Sequence, residues 1–223
     1  MSRQIRNIFT LTILLTGVLL GACGLSPQTT SVKKNGVEPR GNGTRGGAIT
    51  YRLTTPPKSF NYVMAADEAT IAATFVPLTS GLIDFDHSTQ QYVPALAESW
   101  SASADGKAVT VKLREALKFS DGDDLTADDV IFTLAAIYDE KTNSPAYRDA
   151  MLVGGKQITT RRINDREIEI AFPQPVASAE NYLVNLGVLP SHVLGGDLKA
   201  GKFAESWKIN APAASIISSG PFI

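Results

Sequence analysis

Residues 92–134 read Y-V-P-A-L-A-E-S-W-S-A-S-A-D-G-K-A-V-T-V-K-L-R-E-A-L-K-F-S-D-G-D-D-L-T-A-D-D-V-I-F-T-L, and local physics accounts for nearly every position. Trp100, Ala102 and Ala104 alternate with serines, Asp105-Gly106 reverses the chain, and Val109, Val111 and Leu113 alternate with Thr110, Lys112 and Arg114. Period-two alternation on both sides of an Asp-Gly turn predicts a hairpin with one buried face. Leu117 and Phe119 continue the alternation until Ser120-Asp121-Gly122-Asp123 breaks it. Thr126 then caps a helix, and Asp129, three residues on, completes a capping box. Leu125 and Val130 stand at staple spacing, and Val130, Leu134, Ile137 and Tyr138 share one helical face. The segment therefore reads hairpin, acidic turn, amphipathic helix.

Outward from this stretch the chain reads as mixed α and β. On the amino-terminal side Ile49, Tyr51 and Leu53 alternate with polar residues, which predicts a strand that Thr55-Pro-Pro57 ends. Ile71, Phe75 and Leu78 recur at helical spacing and read as core, and Gly81 releases the chain into Leu82-Ile-Asp-Phe85. On the carboxyl-terminal side residues 157–162 and 167–172 flank Asn164-Asp165, a second hairpin with Ile168, Ile170 and Phe172 on its inner face; Pro173 and Pro175 stop it. Helices are expected near 177–186 and 199–207. There is no internal repeat.

The amino terminus carries a separate signal. Arg3 and Arg6 precede an apolar run from Ile8 to Leu20, which ends in Leu20-Gly21-Ala22-Cys23. That is the form of a bacterial lipoprotein signal, shorter than the ~20 apolar residues a spanning helix needs. Residues 1–22 are the expected signal peptide, and cleavage before Cys23 frees its sulfur for lipid, palmitate among the acyl chains. More than one chain makes such an anchor stable, each buried methylene contributing ~0.8 kcal/mol. Residues 23–45, rich in Gly, Ser, Thr, Asn, Pro and Lys, read as a flexible tether, and 46–223 as the folded part.

Composition narrows the function. There are 21 basic and 22 acidic residues, and removing Arg3 and Arg6 leaves 19 basic against 22 acidic, so the chain lacks the concentrated basic surface that nucleic acid requires. A single cysteine excludes an internal disulfide, and the fold must rest on its apolar core. Asp121, Asp123, Asp124, Asp128 and Asp129 form an acidic cluster, but an EF-hand loop beginning at Asp121 needs a bidentate Glu at position 132, which is Phe. Turn and cap explain these residues instead. His87 lies in the polar turn 86–91 and reads as solvated; His192 stands at a helix start, with a structural role. No G-x-S-x-G elbow, H-E-x-x-H pair or phosphate-cradling glycine loop appears, so no enzyme activity, metal or cofactor is expected.

The order P-A-L-A-E-S-W, D-G-K, then L-R-x-x-x-K-F-x-D-G-x-x-L-T-A-D-D-V-x-F-T-L closely resembles solute-binding protein family 5, the oligopeptide- and dipeptide-binding receptors of ABC importers. Gly46-Gly47, Ser59-Phe-Asn61, Leu189-Pro-Ser-His192 and Ser219-Gly-Pro-Phe222 match further family elements in order, so the resemblance runs from about Gly46 to the last residue. It implies an α/β (mixed α+β) fold of the periplasmic-binding-protein-like type II. It also implies two lobes hinged over a solute, delivery to permease subunits, and a lipid-anchored place on the periplasmic or extracytoplasmic face of the cell envelope. Peptides are the implied cargo. A sugar, an opine or a nickel chelate on the same scaffold, or an exported structural lipoprotein, is the alternative.

Two elements map onto cleft-side or hinge-side parts of that family. Ser59-Phe60-Asn61-Tyr62 matches the loop after the first strand, with Tyr62 where the family has proline, and Gly220-Pro221-Phe222 matches the crossover between lobes. Each is read either as ligand contact or as plain turn and core. Family members are much longer, so the expectation is a truncated receptor: the first lobe and part of the hinge side, with the second lobe missing and at most half a binding site.

Overall fold

The computed structural model describes residues 46–50, 52–75 and 77–222. The chain divides into Met1–Ile49 and Thr50–Ile223. Of the first unit only 46–49 are described, and they carry no helix or strand; the signal, Cys23 and the tether lie outside the described residues.

Among the described residues the strand expected over 49–54 is not formed. None of its described residues pairs with another strand, and Ile49 is 67% exposed. Alternation makes a strand only where a neighbour receives its amides and carbonyls. The chain instead makes one bridge, Ser59 with Lys208, before a 3₁₀ turn at Tyr62–Met64. Helix α1 (Glu68–Thr74) follows, with Asp67 as its N-cap accepting from the Thr70 amide. This cap sets the helix phase so that Ala69, Thr70, Ala73 and Thr74 turn inward while Ile71 is 43% exposed, correcting the expectation that Ile71 belongs to the core. Phe75 is the extended C-cap, so the helix ends before Leu78.

A two-stranded ribbon, β1 (Ile83–Asp86) with β2 (Gln91–Pro94), leads into the segment that decides the fold. The predicted hairpin is present as β3 (Ala97–Ala102) and β4 (Ala108–Leu113), with Gly106 at φ +65° in the turn, a left-handed conformation that glycine adopts without strain. Its buried face is mainly that of β4, since Ala102 and Ala104 are exposed. Helix α2 (Ala127–Tyr138) begins at Thr126 as predicted, and the capping box with Asp129 is formed. Leu125, Val130, Leu134 and Ile137 are buried beneath it. A short helix α3 (Pro145–Ala150) and a small ribbon of β5 (Leu152–Val153) with β6 (Lys156–Gln157) were not apparent in the sequence pattern.

The second predicted hairpin is β7 (Thr159–Asn164) with β8 (Glu167–Ala171). It joins the first in one antiparallel sheet of order β3-β4-β8-β7. Register places Val109 opposite Ile170 and Val111 opposite Ile168, so one face is apolar, while Thr110 opposes Glu169 and Lys112 opposes Glu167 on the other. That division is the direct consequence of a period of two.

The last two expected helices shift. Near 177–186 only α4 (Glu180–Leu183) forms, and 199–207 is not one helix. Helix α5 spans Ser191–Ala200, ends at Gly201 (φ +68°), and a separate 3₁₀ turn covers Phe203–Glu205. The left-handed cap at Gly201 stops the helix where apolar spacing alone extends it. Helices α2 and α5 pack together, and Phe132 of α2 meets Phe203 of the 3₁₀ turn after α5 edge to face at 6.3 Å.

Candidate functional site

The chain leaves α1 at Phe75, turns at Pro77-Leu78 and continues through Thr79 to Gly81, which bridges Gly187. The Ser218–Phe222 segment lies along this run. The amides of Ser219 and Gly220 donate to the Leu78 carbonyl (3.2 and 3.1 Å), the Phe222 amide to Pro77 O (3.1 Å), and the Ser218 hydroxyl to Leu78 O (2.9 Å). Ser219 Oγ accepts from the Ser80 amide (3.2 Å) and donates to Val188 O (2.7 Å), tying three strands of chain at one point. Approach this close requires glycine: a Cβ on Gly220 would stand 2.5 Å from Pro77 O and 2.8 Å from the Leu78 carbonyl carbon.

Beside this seam opens a cleft of about 410 Å³. Phe75, Ile83, Val184 and Pro221 give it apolar walls; Thr79, Ser80 and Ser219 bring hydroxyls and main chain; among the described residues that line it, Asp84 is the one charged group. The exposed Asp84 carboxylate accepts from the Phe85 amide at 2.7 Å. The cleft has the size and the largely apolar, sparsely polar lining of a small-molecule site. Among its described lining residues Ser219 gives its proton to a carbonyl, and neither His87 nor His192 lines it.

Of the residues expected at a site, Gly220 and Pro221 line this cleft, whereas Phe222 is 42% exposed and does not. Ser59, Phe60, Asn61 and Tyr62 sit behind the wall. The Ser59 hydroxyl (3.2 Å) and the Phe60 amide (2.7 Å) both donate to Trp207 O, and Asn61 caps the 3₁₀ turn through Val63 N (3.1 Å). Trp207 adopts φ +55°, a left-handed conformation that a bulky residue keeps only when its surroundings over-determine it. Tyr62 is fully buried; its hydroxyl donates to Gly187 O (2.8 Å), and its ring meets Phe75 at 5.6 Å and Tyr147 at 5.2 Å. Burial, with the neighbouring Tyr147, pushes its phenol well above the ordinary value against the opposing pull of the Gly187 hydrogen bond. Tyr62 thus stands behind two lining residues, touching Phe75 directly and reaching Gly81 through Gly187. Phe75, Thr79–Gly81, Ile83, Asp84, Val184 and Ser219 line the cleft without having been singled out as site residues from sequence; only Ser219, beside Gly220-Pro221, carried a signal.

A family model described as bacterial extracellular solute-binding proteins, family 5 middle, matches residues 91–223. The dipeptide-binding protein of Escherichia coli is 27% identical over 193 residues, covering 78% of this chain and 34% of the relative. Among solved structures, the substrate-binding protein CtaP of Listeria monocytogenes is 29% identical with a TM-score of 0.60, covering 76% of this chain and 32% of the other. The oligopeptide-binding protein AppA of Bacillus subtilis, solved with a nonapeptide, is 29% identical with a TM-score of 0.58, covering 74% and 31%. The chain spans about a third of the length of the curated relatives it matches. The architecture is accordingly the mixed α/β one of type II periplasmic binding proteins. With more than half of its residues under the family model, and with the hairpin, capped helix and Ser-Gly-Pro-Phe seam all inside the matched region, this chain belongs to the family 5 bacterial extracellular solute-binding proteins.

Proposed function

We propose that this chain captures peptides outside the cytoplasm as part of the receptor of an ABC importer. The observation that carries this reading is the cleft wall, where main chain at Thr79–Gly81 and Ser219–Pro221 borders apolar surface and, among the described residues, only the side chain of Asp84 is charged. Main-chain groups recognise an extended peptide backbone whatever its side chains, and apolar pockets accept varied residues. Peptide-binding relatives at 27–29% identity support the same cargo. The test is amide chemical-shift perturbation on the isotope-labelled chain with di- and tripeptides, an oligosaccharide and a nickel–histidine chelate. Peptides are expected to move the amides of Thr79–Gly81 and Ser219–Gly220; movement by the sugar or chelate with none by peptides would assign the scaffold to another solute.

The same proposal places the chain on a lipid anchor at Cys23, on the strength of Arg3, Arg6, the apolar run to Leu20 and the small residues before the cysteine. Among the described residues no helix is long and apolar enough to cross a membrane. Metabolic labelling with a palmitate analogue is expected to mark the expressed chain, and Cys23→Ser to abolish the label and release the protein from the membrane fraction. Unchanged labelling in that variant would reject the anchor.

A further inference from the structure

Outside the cleft, two segments distant in sequence bring three donor side chains to one point. The acidic turn after Phe119 presents Asp121 and Asp123, and the start of α5 presents His192. His192 Nε2 stands 2.8 Å from Asp121 Oδ2 and 3.4 Å from Asp123 Oδ2, and one donor atom of each residue lies within 4.8 Å of the other two.

We propose that Asp121, Asp123 and His192 form a binding site for a divalent transition-metal ion of the Zn²⁺ class. One imidazole nitrogen with two carboxylate oxygens suits a borderline ion such as Zn²⁺, Ni²⁺ or Co²⁺, whereas Ca²⁺ and Mg²⁺ take all-oxygen shells. Donors on a tetrahedron of radius ~2.1 Å around zinc are separated by roughly 3.4 Å. The pair His192 and Asp123 already has that separation, and the pair His192 and Asp121 has to open by ~0.6 Å, a side-chain adjustment.

The donors are held by bonds that the metal would leave intact. Asp121 Oδ1 accepts from the Asp123 amide (3.1 Å), leaving Oδ2 as the oxygen that faces His192. The turn is closed by Gly122 N to Phe119 O (3.0 Å) and Phe119 N to Asp123 O (2.9 Å). Lys118 Nζ bonds the Gly122 carbonyl and Asp124, so this ammonium is engaged outside the triad. On the other side, the Ser191 amide is fixed by Asp129 Oδ1 (3.0 Å), and the His192 ring rests on Phe119 at 5.5 Å. The N-terminal dipole of α5 disfavours a cation, and the two carboxylates offset it. The accessibility of the triad, with 31%, 28% and 65% of the His192, Asp121 and Asp123 side chains exposed, leaves room for water to complete the coordination.

The test uses the full chain carrying Cys23→Ser, which removes the competing thiol, stripped of metal and titrated with Zn²⁺ against a chromophoric chelator. One Zn²⁺ per chain is expected, with affinity falling at least tenfold in His192→Gln and in Asp123→Asn, unchanged in His87→Gln, and not displaced by a hundredfold excess of Ca²⁺. Asp123 is the variant that leaves folding intact, because its carboxylate is mostly exposed, and a thermal melt verifies this. Absence of stoichiometric binding, affinity unaltered by both His192→Gln and Asp123→Asn, loss on His87→Gln, or displacement by Ca²⁺ would each overturn the site.

Discussion

Asp129→Ala is expected to destabilise the protein by about 3–5 kcal/mol, because it strips a buried carboxylate from three donors at once. Asp129 is 3% exposed. Its Oδ2 accepts from the Thr126 amide (2.9 Å) and hydroxyl (3.3 Å), and its Oδ1 accepts from the Ser191 amide (3.0 Å). A helix cap in solvent is worth only ~1 kcal/mol, so most of the expected loss comes from the bond to α5 and from the amides left unpaired in the interior. The remaining hydrogen bond here, Leu189 N to Thr133 Oγ1 (2.9 Å), ties to α2 the segment before α5 and not the helix itself, so the first turn of α5 should loosen in the variant. Urea unfolding followed by circular dichroism measures the loss, and hydrogen exchange at Ser191 locates it. Asp129→Asn keeps the volume and one acceptor and should fall midway. A loss below 1 kcal/mol in the alanine variant would reduce Asp129 to an ordinary cap.

The second large effect is expected from Gly220→Ala. The new methyl cannot be housed, because the atoms it meets at 2.5–2.9 Å are backbone of Pro77, Leu78 and Thr79 and not the movable end of a side chain. The Ser218–Phe222 segment must therefore lift from its seam. That forfeits the bonds from Ser219 N, Gly220 N and Phe222 N and those of the Ser218 and Ser219 hydroxyls. At ~0.5–1.5 kcal/mol each, the six bonds together account for on the order of 3–9 kcal/mol of local stability. Most of the sheet core lies elsewhere, so the outcome is local: amides of 218–222 and of Ser80 should exchange rapidly while those of β4 and β8 remain protected. One wall of the cleft goes with the segment, and the peptide-induced shifts expected at Thr79–Gly81 should vanish. Protection of Gly220 equal to that of the parent would show that the backbone yields by some other route.

Much of the architecture was legible because its causes lie within a few residues. The Asp-Gly turn fixes the β3–β4 hairpin, the alternation of Val109, Val111 and Leu113 fixes which face is buried, and Thr126 with Asp129 fixes where α2 starts. The strand read over 49–54 and the inward face assigned to Ile71 failed for the complementary reason: alternation and helical spacing describe how side chains could be sorted, not whether a neighbour is there to receive them. The candidate site was half legible. Gly220 and Pro221 stood out as a glycine-proline pair, whereas Thr79, Ser80 and Asp84 carry no pattern that distinguishes cleft from turn.

By itself, then, the sequence determined the hairpins, the capped helix and the paired-strand faces, all of which depend on short-range spacing, and its ordered motifs carried the resemblance to the family. Tertiary structure alone decided that Asp129 also holds the start of α5, that Tyr62 is buried against Gly187, that the Ser218–Phe222 seam opens a cleft beside Thr79–Gly81, and that His192 meets Asp121 across 71 positions of chain. Such meetings depend on how the sheet and helices pack, and packing is a property of the whole fold that no local period encodes.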